Sequence, residues 1–317
     1  MNIGLDIMGG DFAPEQTLKG VVLALNELSI KDKLFLFGKG DFILEHLTRQ
    51  KINLDRVEII NCIQIIEMGD EPIKAIKEKS DSGIFKGFEY LKNDIIDSFV
   101  SAGNTGAMMA GATQVIGVSD GVMRPGISSY YPNNLGKNNL LLDVGLNPDT
   151  KPEVLVQYAH MGKMFAKHVM RIDNPKVGLL NIGSEKSKGT AITKLAYSLL
   201  DADSQINFIG NIEGGDIHKA DMVDVIVCNG FTGNVVLKQA ESFYKILNER
   251  NISDSYFDNY NYENYGGTPI LGIPKPVIVG HGVSNGIAIK NMILLSKKLI
   301  ESNISGIITK HFSYGTD

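Results

Sequence analysis

A segment in the first third of the chain combines residue types that bind anions. Residues 101–110 read Ser-Ala-Gly-Asn-Thr-Gly-Ala-Met-Met-Ala and follow a short segment, 97–100, that predicts a buried strand. The segment therefore lies where a strand passes into a helix, and the N–H groups and positive dipole of a helix start attract anions. Its glycines would let the backbone approach a ligand, and its polar side chains add donors. The residues concerned are Gly103, Asn104, Thr105 and Gly106. The pattern fits a phosphate site, and it also fits an N-capped loop that binds nothing.

Six further clusters of glycine and polar residues follow predicted strands in the same way. Ligands of open α/β sheets bind beyond the carboxyl ends of the strands, so the clusters together predict one large shared cleft. They occupy residues 6–11, 143–147, 181–183, 210–214, 229–234 and 280–285.

Three cations are candidates to balance the charge of a phosphate, although each is also typical of a solvated surface. Arg124 precedes a proline and a predicted strand, and Lys188 follows the turn at 181–183. Lys238 lies one turn inside the helix that Thr232-Gly233-Asn234 opens.

His281 differs from the other histidines because it lies between two glycines at a predicted strand end. An imidazole there could donate a proton to a leaving group or a hydrogen bond to phosphate. Three acidic residues at strand ends could orient the cations or simply cap helices. They are Asp6, Asp143 and Glu185, and Asn181 is a further polar candidate for substrate contact.

Composition argues against several classes of protein. The net charge of −5 over 317 residues makes nucleic acid an unexpected partner. No apolar run reaches the roughly 18–20 residues of a membrane span, and no signal-peptide pattern opens the sequence. Cys62 and Cys228 lack metal-ligand spacing and predict buried thiols in a reducing cytosol. We expect no metal.

Two glycine-rich segments only partly match nucleotide-binding loops. Residues 38–43 have Ile43, and residues 280–285 have Asn285, at the position of the last glycine. An NAD-dependent oxidoreductase stays an alternative on this evidence. Cys228 follows a strand and could be a nucleophile, but a buried thiol fits the pattern better.

Predicted strands alternate with predicted helices along almost the whole chain, which is typical of an α/β protein with a mostly parallel sheet between helices. Two of the strands, 127–130 and 140–144, are close enough in sequence to be antiparallel neighbours. The other strands are predicted at 3–7, 34–37, 57–60, 97–100, 177–180, 206–209, 223–227 and 277–279. The acidic, tyrosine-rich segment 253–265 has no period and predicts an exposed excursion near 250–266.

Taken in order, these motifs resemble the bacterial phosphate acyltransferases of the PlsX family. The resemblance rests on residues 5–15, 101–107, 124–125, 141–145, 177–183, 207–214, 230–234, 266–272 and 280–282. It implies reversible transfer of a fatty acyl group from acyl carrier protein to inorganic phosphate, which gives an acyl phosphate for phospholipid synthesis. A non-catalytic module that binds phosphate or acyl carrier protein is the other alternative.

The resemblance also implies a fold and an assembly. We expect a three-layer, mostly parallel α/β sheet like those of isopropylmalate dehydrogenase and phosphotransacetylase, forming one domain over residues 1–317. We expect a homodimer without a cofactor, located in the cytoplasm with peripheral contact to the inner face of the membrane. A functional link to a membrane glycerol-3-phosphate acyltransferase follows from the same resemblance.

The resemblance places phosphate at specific positions of this sequence. They are Asn104, Thr105, Gly106, Thr232, Gly233 and Asn234. Phosphate is itself a competent nucleophile, so direct attack on the thioester needs no covalent enzyme intermediate. Lys188 or Lys238 would offset the negative charge, and His281 would protonate the departing thiolate.

The sequence departs from the family pattern at three places. Asn229 stands where the family usually has Asp, which weakens an acidic catalyst there. Residues 77–83 carry less positive charge than expected for docking an acidic carrier protein. The excursion at 252–264 is short and acidic where the family is apolar and basic, and anionic lipid should repel it.

Overall fold

The computed structural model describes residues 1–313, and its contacts divide the chain into two compact units. The first unit combines residues 1–118 with residues 262–306. The second combines residues 119–261 with the segment that starts at Ile307. The prediction of a single phosphate acyltransferase domain over residues 1–317 stays a prediction.

The elements alternate along the chain much as predicted. The strands are β1 (Asn2–Asp6), β2 (Lys33–Gly38), β3 (Val57–Asn61), β4 (Ser98–Ser101), β5 (Gly126–Pro132), β6 (Asn138–Leu142), β7 (Lys176–Leu180), β8 (Asn207–Ile212), β9 (Val225–Val227), β10 (Gly267–Leu271) and β11 (Val277–Gly280). The helices are α1 (Glu15–Glu27), α2 (Gly40–Arg49), α3 (Pro72–Glu78), α4 (Gly83–Lys92), α5 (Thr105–Gly111), α6 (Pro152–His168), α7 (Ala191–Ala202), α8 (Gly230–Glu249), α9 (Gly286–Ser302) and α10 (Ile304–Ser313).

The strands of the first unit lie in the order β3-β2-β1-β4-β11-β10. All neighbours are parallel except β10, which runs antiparallel to β11 with Thr268 opposite Val279. Phe37 and Phe99 are fully buried and pack edge to face, with their ring centroids 5.8 Å apart. A Cβ atom at Gly87 would lie 2.0 Å from the Phe99 ring, so α4 can lie this close to β4 only with glycine there. This packing fixes the end of β4, where the loop at 101–106 begins.

The strands of the second unit lie in the order β5-β6-β9-β7-β8. The predicted antiparallel pair is confirmed, because β5 pairs with β6 and Ser129 lies opposite Leu141. The remaining pairs are parallel, so β6, β7, β8 and β9 all end on the same edge of the sheet. That edge carries the polar clusters of this unit.

Some elements differ from the sequence-based expectation. The helical patterns over 71–92 form two helices, because Ser82 starts a new one by accepting a hydrogen bond from the N–H of Phe85 at 3.3 Å. Strand β10 was not predicted. It contains Pro269, which is uncommon inside strands, and it pairs antiparallel with β11, with Pro269 opposite Ile278.

The segment predicted as an exposed excursion is only partly exposed. It forms short 3-10 turns at Phe257–Tyr260 and Tyr262–Asn264, and Tyr260 is only 8% exposed. Within residues 1–313, no helix has both the length and the apolar character that a membrane crossing requires.

Candidate active site

The polar clusters of the first unit contact one another at the ends of its strands. The N–H of Asp11 donates to the carbonyl of Gly282 at 2.7 Å, which joins the clusters at 6–11 and 280–285. The hydroxyl of Ser101 donates to Asp6 Oδ2 at 2.8 Å, and the N–H of Gly103 donates to that hydroxyl at 2.9 Å. Three of the predicted clusters are therefore one hydrogen-bonded structure.

Asn104 uses its side chain to hold the fold of the first unit. Its Oδ1 accepts from the N–H of Ala107 at 2.9 Å and caps α5. Its Nδ2 donates to the carbonyls of Glu67, Met68 and Asp70 at 3.0, 3.2 and 3.0 Å. Since an amide nitrogen has only two N–H groups, the side chain has no donor left for a phosphate.

The neighbours of Asn104 are also explained by packing. A Cβ atom at Gly106 would lie 2.4 Å from Cγ of Pro72, so glycine lets α5 approach α3. Thr105 is exposed at the first position of α5, a helix of seven residues. The loop that looks most like a phosphate site in sequence is thus largely occupied by its own chain.

Asp6 is 3% exposed and makes no ion pair within residues 1–313. Burial raises the pKa of its carboxyl from 3.8 to about 6, against the opposing effect of hydrogen bonds from Ser101 and the N–H of Met8. The residue therefore holds the strand-end loop together, and no cation lies in position for it to orient.

A pocket of about 610 Å³ opens in the second unit, and we call it the strand-end pocket. It lies beyond the ends of β7 and β9 and at the starts of α7 and α8. Its walls include Asp149, Thr150, Asn181, Gly189, Thr190, Thr193, Gly214, Cys228, Asn229 and Thr232. Four of the predicted clusters or their immediate neighbours thus meet within this unit. The prediction that all seven clusters share one cleft stays a prediction.

The start of α8 is held against the turn that follows β6. Asn229 caps the helix, since its Oδ1 accepts from the N–H of Thr232 at 2.9 Å. A Cβ atom at Gly233 would lie 1.9 Å from the carbonyl oxygen of Asp143, so only glycine permits this approach. Asn234 donates from Nδ2 to the carbonyl of Val144 at 3.1 Å. A helix cap needs only a hydrogen-bond acceptor, so an uncharged asparagine can fill this role at position 229.

Asp143 is fully buried and organises the same turn. Its Oδ1 accepts from the N–H groups of Ile127, Gly145 and Leu146 at 3.0, 3.2 and 3.1 Å. Its Oδ2 accepts from the N–H of Asn147 at 2.7 Å. These bonds compensate for burying a carboxylate, so Asp143 supports the pocket from behind its wall.

The loop at 181–190 lines the strand-end pocket with Asn181, Ile182, Gly189 and Thr190, and it carries Lys188 next to Gly189 in the chain. Asn181 donates from Nδ2 to Asn211 Oδ1 at 3.1 Å, and Asn211 Nδ2 donates to the carbonyl of Glu185 at 2.9 Å. The N–H of Lys188 donates to the same carbonyl at 3.0 Å. A Cβ atom at Gly183 would lie 2.8 Å from Lys188 Cγ and 3.0 Å from Glu185 Oε2, so both side chains pass over this glycine.

Lys188 is exposed and makes no ion pair within the part of the chain that the structure describes. Its neighbour Lys186 differs, because its Nζ lies 2.8 Å from Asp201 Oδ2. Lys238 is paired as well, with its Nζ 2.7 Å from Glu241 Oε2. Arg124 is exposed and also makes no ion pair over residues 1–313. Of the predicted cations, Lys188 is therefore the one that is unpaired and adjacent to walls of the pocket.

His281 lies in the first unit at the end of β11. Its ring centroid is 4.9 Å from that of Tyr262, and its carbonyl accepts from the N–H of Ser284 at 2.9 Å. The side chain is half-buried.

Three threonines of the strand-end pocket were missed in the sequence. The hydroxyl of Thr150 is buried, has no hydrogen-bond partner among residues 1–313, and belongs to a residue on the pocket wall. Thr190 caps α7 by accepting from the N–H of Thr193 at 3.1 Å. A signal for Thr190 was available, since threonine after glycine is typical of a helix start, but no spacing marks Thr150.

Cys228 is 3% exposed, and burial raises the pKa of its thiol far above the usual range. Its Sγ lies 3.5 Å from the carbonyl oxygen of Asp143. A thiol in this environment stays protonated, which argues against a nucleophilic role. Within residues 1–313, no group of three His, Cys, Asp or Glu side chains is arranged to hold a metal ion.

Solved structures of other proteins share this fold. The chain matches the EutD phosphotransacetylase from Staphylococcus aureus with a TM-score of 0.62 at 16% identity, over 95% of this chain and 94% of that one. It matches a branched-chain phosphotransacylase from Enterococcus faecalis with a TM-score of 0.61 at 12% identity, over 95% and 99% of the two chains. The predicted fold class, a mostly parallel α/β sheet of the phosphotransacetylase kind, is confirmed.

The sequence itself defines the family. The profile described as "Fatty acid synthesis protein" matches residues 1–306. The phosphate acyltransferase of Halothermothrix orenii is 41% identical over 335 residues, covering 99% of both chains. That of Caldicellulosiruptor saccharolyticus is 40% identical over 332 residues, covering 99% of this chain and 98% of its own. The chain belongs to the phosphate acyltransferase family, and it is an acyltransferase of fatty acid and phospholipid synthesis.

Proposed function

We propose that the enzyme transfers a fatty acyl group from acyl carrier protein to inorganic phosphate, and that the strand-end pocket binds the phosphate. The observation that carries the proposal is a pocket bordered by two helix starts, in a loop of which Lys188, next to the lining residue Gly189, makes no ion pair within residues 1–313. The names of the relatives, which are phosphate acyltransferases, support the same substrate.

The electrostatics of the pocket favour an anion. The first turns of α7 and α8 contribute Thr190, Thr193 and Thr232 to its walls. Each helix start carries the equivalent of roughly half a positive charge, and this charge favours an anion although the N–H groups of Thr193 and Thr232 are already bonded to the caps Thr190 and Asn229. The partnerless hydroxyl of Thr150 adds a donor. Asp149 opposes the anion, but it is exposed, so solvent and salt screen its charge.

The chemistry requires little beyond positioning. A phosphate oxygen attacks the thioester carbonyl, a carbon–oxygen bond forms, and the carbon–sulfur bond breaks to release the carrier thiol. Holding phosphate against the carbonyl converts a bimolecular step into an effectively unimolecular one. Lys188 would offset the negative charge that develops on the carbonyl oxygen. Because Cys228 stays a buried thiol, direct attack fits better than a covalent cysteine intermediate.

The other predicted residues keep more limited roles in this proposal. Asn104 contributes through the fold, and Thr105 and Gly106 stay predicted contacts. Lys238 is paired to Glu241, so its charge is less available than that of Lys188. His281 stays the predicted proton donor to the departing thiolate, and replacing it with alanine should lower the maximal rate far more than the affinity for phosphate.

We extend the proposal to the assembly and location of the enzyme. Exposed apolar side chains lie on α7 and α8, including Leu195 (59% exposed), Leu199 (44%) and Phe231 (66%). Exposed apolar surface of this kind supports the predicted homodimer. We also propose a cytoplasmic location, contact with the inner face of the membrane, and a membrane glycerol-3-phosphate acyltransferase as the next enzyme.

The decisive experiment incubates the enzyme with hexadecanoyl acyl carrier protein, with and without phosphate, and measures free carrier thiol. We expect thiol release only when phosphate is present, with one acyl phosphate formed for each thiol. Equal release without phosphate would indicate a thioesterase. Absence of release in both reactions would favour the alternative of a binding module.

A further inference from the structure

A second pocket of the second unit, with a volume of about 530 Å³, is lined mainly by apolar and aromatic side chains. We call it the apolar pocket. One wall is a face of α8, with Val235, Ala240 and Phe243. The opposite wall comes from the segment after α8 and includes Tyr256, Phe257 and Tyr260. Such a volume lies within the range of small-molecule sites, which are about 300–1,000 Å³.

The polar atoms on the tyrosine wall are satisfied by one another. Tyr260 Oη lies 2.9 Å from His218 Nδ1, and Tyr256 Oη lies 3.0 Å from Tyr260 Oη. The hydroxyl of Tyr260 also donates to the carbonyl of Pro132 at 3.3 Å. With these groups paired, the rings offer carbon surface to the pocket. The arrangement suits a ligand without polar groups along its length.

The apolar pocket adjoins the strand-end pocket. Gly214 and Val236 line both, so the two pockets share part of their walls beside α8. Thr232 lies in the strand-end pocket and Phe243 lies in the apolar pocket. A rise of about 1.5 Å per residue separates these two positions by about 16 Å along the helix. A ligand that spans both pockets would have a polar head and a long apolar tail.

We propose that the apolar pocket holds the acyl chain of the substrate, with the thioester or acyl phosphate group in the strand-end pocket. The segment Tyr256–Tyr260 then forms one side of the chain's binding site, so it sets the chain length that fits. This inference rests on the proposed function for the identity of the polar head. A second copy of this chain covering the apolar face is the competing occupant.

Gly214 offers a direct test, because no atom of the described residues lies within 4 Å of a Cβ atom built there. The substitution Gly214→Leu should place carbon in the junction between the two pockets without disturbing the fold. Gly215→Leu is the matched control, since Gly215 is equally unhindered and lines neither pocket. Each methylene group of the ligand that the new side chain keeps out of the apolar pocket should weaken binding about fourfold. Exclusion of two or more methylene groups should therefore weaken binding about tenfold or more.

The first measurement is calorimetric binding of dodecyl phosphate, which does not depend on turnover. We expect Gly214→Leu to weaken binding about tenfold, and Gly215→Leu to match the unmodified enzyme. Equal affinity in all three proteins would overturn the proposal, because the chain would then lie elsewhere. If thiol release did not depend on phosphate, the proposed function would be wrong. The binding result would still show whether the apolar pocket holds an alkyl chain.

The second measurement compares turnover with octanoyl and hexadecanoyl acyl carrier protein. Phe243→Ala, far from the junction, should lower kcat/KM for the hexadecanoyl substrate more than for the octanoyl one. Ile246→Ala is the control, because Ile246 is also exposed on α8 but does not line the pocket. An unchanged preference for chain length, together with dissociation of an oligomer in sedimentation, would assign the surface to a second copy and overturn the proposal.

Discussion

Two regions of this enzyme look alike in sequence and differ in what their polar groups do. The loop at 101–106 in the first unit and the loops at 181–190 and 229–234 in the second all follow a strand and open a helix. In the first region, the side chain of Asn104 is fully hydrogen-bonded to its own chain. In the second, Lys188 has no ion-pair partner over residues 1–313, and Thr150 on the wall of the pocket that these loops line has a hydroxyl unpaired within the same residues.

This difference shows that polar clusters at strand ends serve two purposes: some hold the fold together and others are available to bind a ligand. The residue types alone do not show which purpose a cluster serves. A buried amide must find partners, and in the first unit the nearby loop at 67–70 provides them. Groups left without protein partners beside a pocket are available to a ligand. The free side chains, more than the glycine pattern, therefore mark the candidate site.

The largest expected effect tests the structural half of this comparison. Asn104→Ala removes a helix cap and the donor for three carbonyls, so we expect a loss of about 4 kcal/mol in unfolding free energy. Asn234→Ala, which removes a single side-chain bond, should cost about 1 kcal/mol. Urea unfolding followed by circular dichroism measures both. A stable Asn104→Ala enzyme with a raised KM for phosphate would instead assign Asn104 to phosphate binding.

The second prediction concerns the buried carboxyl of Asp6. Between pH 4 and 6 the folded protein binds the proton of Asp6 more tightly than the unfolded chain does, so stability falls as pH rises. The change in pKa from 3.8 to about 6 corresponds to about 3 kcal/mol. The difference in unfolding free energy between Asp6→Asn and the unmodified enzyme should therefore grow by about that amount from pH 4 to 7.

Asp70 provides a control of opposite sign. Its hydrogen bond to Lys79, with 2.5 Å between Oδ2 and Nζ, lowers the pKa of its carboxyl. The stability that this pair contributes is fully present above the pKa of Asp70 in the unfolded chain. It is lost as the pH falls through the lowered pKa of Asp70 in the folded protein. Asp70→Asn should thus show its penalty at neutral pH and lose it in acid. Identical pH profiles for the two variants would contradict the prediction for Asp6.

The third prediction tests the ligand half of the comparison. Lys188→Met should lower kcat/KM about 100-fold, because it removes the cation expected to stabilise developing negative charge. Lys186→Met is a matched control two residues away, and its side chain already pairs with Asp201. Its activity should stay within about twofold, since exposed ion pairs contribute little. Equal losses of kcat/KM in both variants would indicate that the overall positive charge of the loop matters, and not Lys188 specifically.

The smallest expected effect concerns Thr150. Thr150→Val removes a buried hydroxyl without a partner, so stability should rise by about 1 kcal/mol or stay unchanged. The KM for phosphate should rise several-fold if the hydroxyl donates to the ligand. Thr17→Val is the control, because the Thr17 hydroxyl donates to the carbonyl of Ile7 at 2.7 Å and its loss should be destabilising. A destabilised Thr150→Val with normal KM would assign Thr150 to the fold.

The ion-pair partner of Lys238 can be predicted from spacing in the sequence. Lys238 and Glu241 are three residues apart on one helix, which is the spacing of a surface ion pair. The partner of Lys186 could not be found in this way, because Asp201 lies 15 residues further along the chain, across the loop and into α7. Strand β10 was not predicted, although residues 267–269 pair with β11.

The sequence alone determined the alternation of strands and helices, the order of the strand-end clusters, and through them the family. These features follow from local periodicity and from residues that are close in the chain. Only the tertiary structure decided which polar groups are already bonded. The partners of Asn104 lie 34 to 37 residues away, and whether the side chain of Lys188 has a partner depends on what folds around it. The loop at 101–106 therefore looked like a site, and contacts distant in sequence show that its side chains mainly hold the fold.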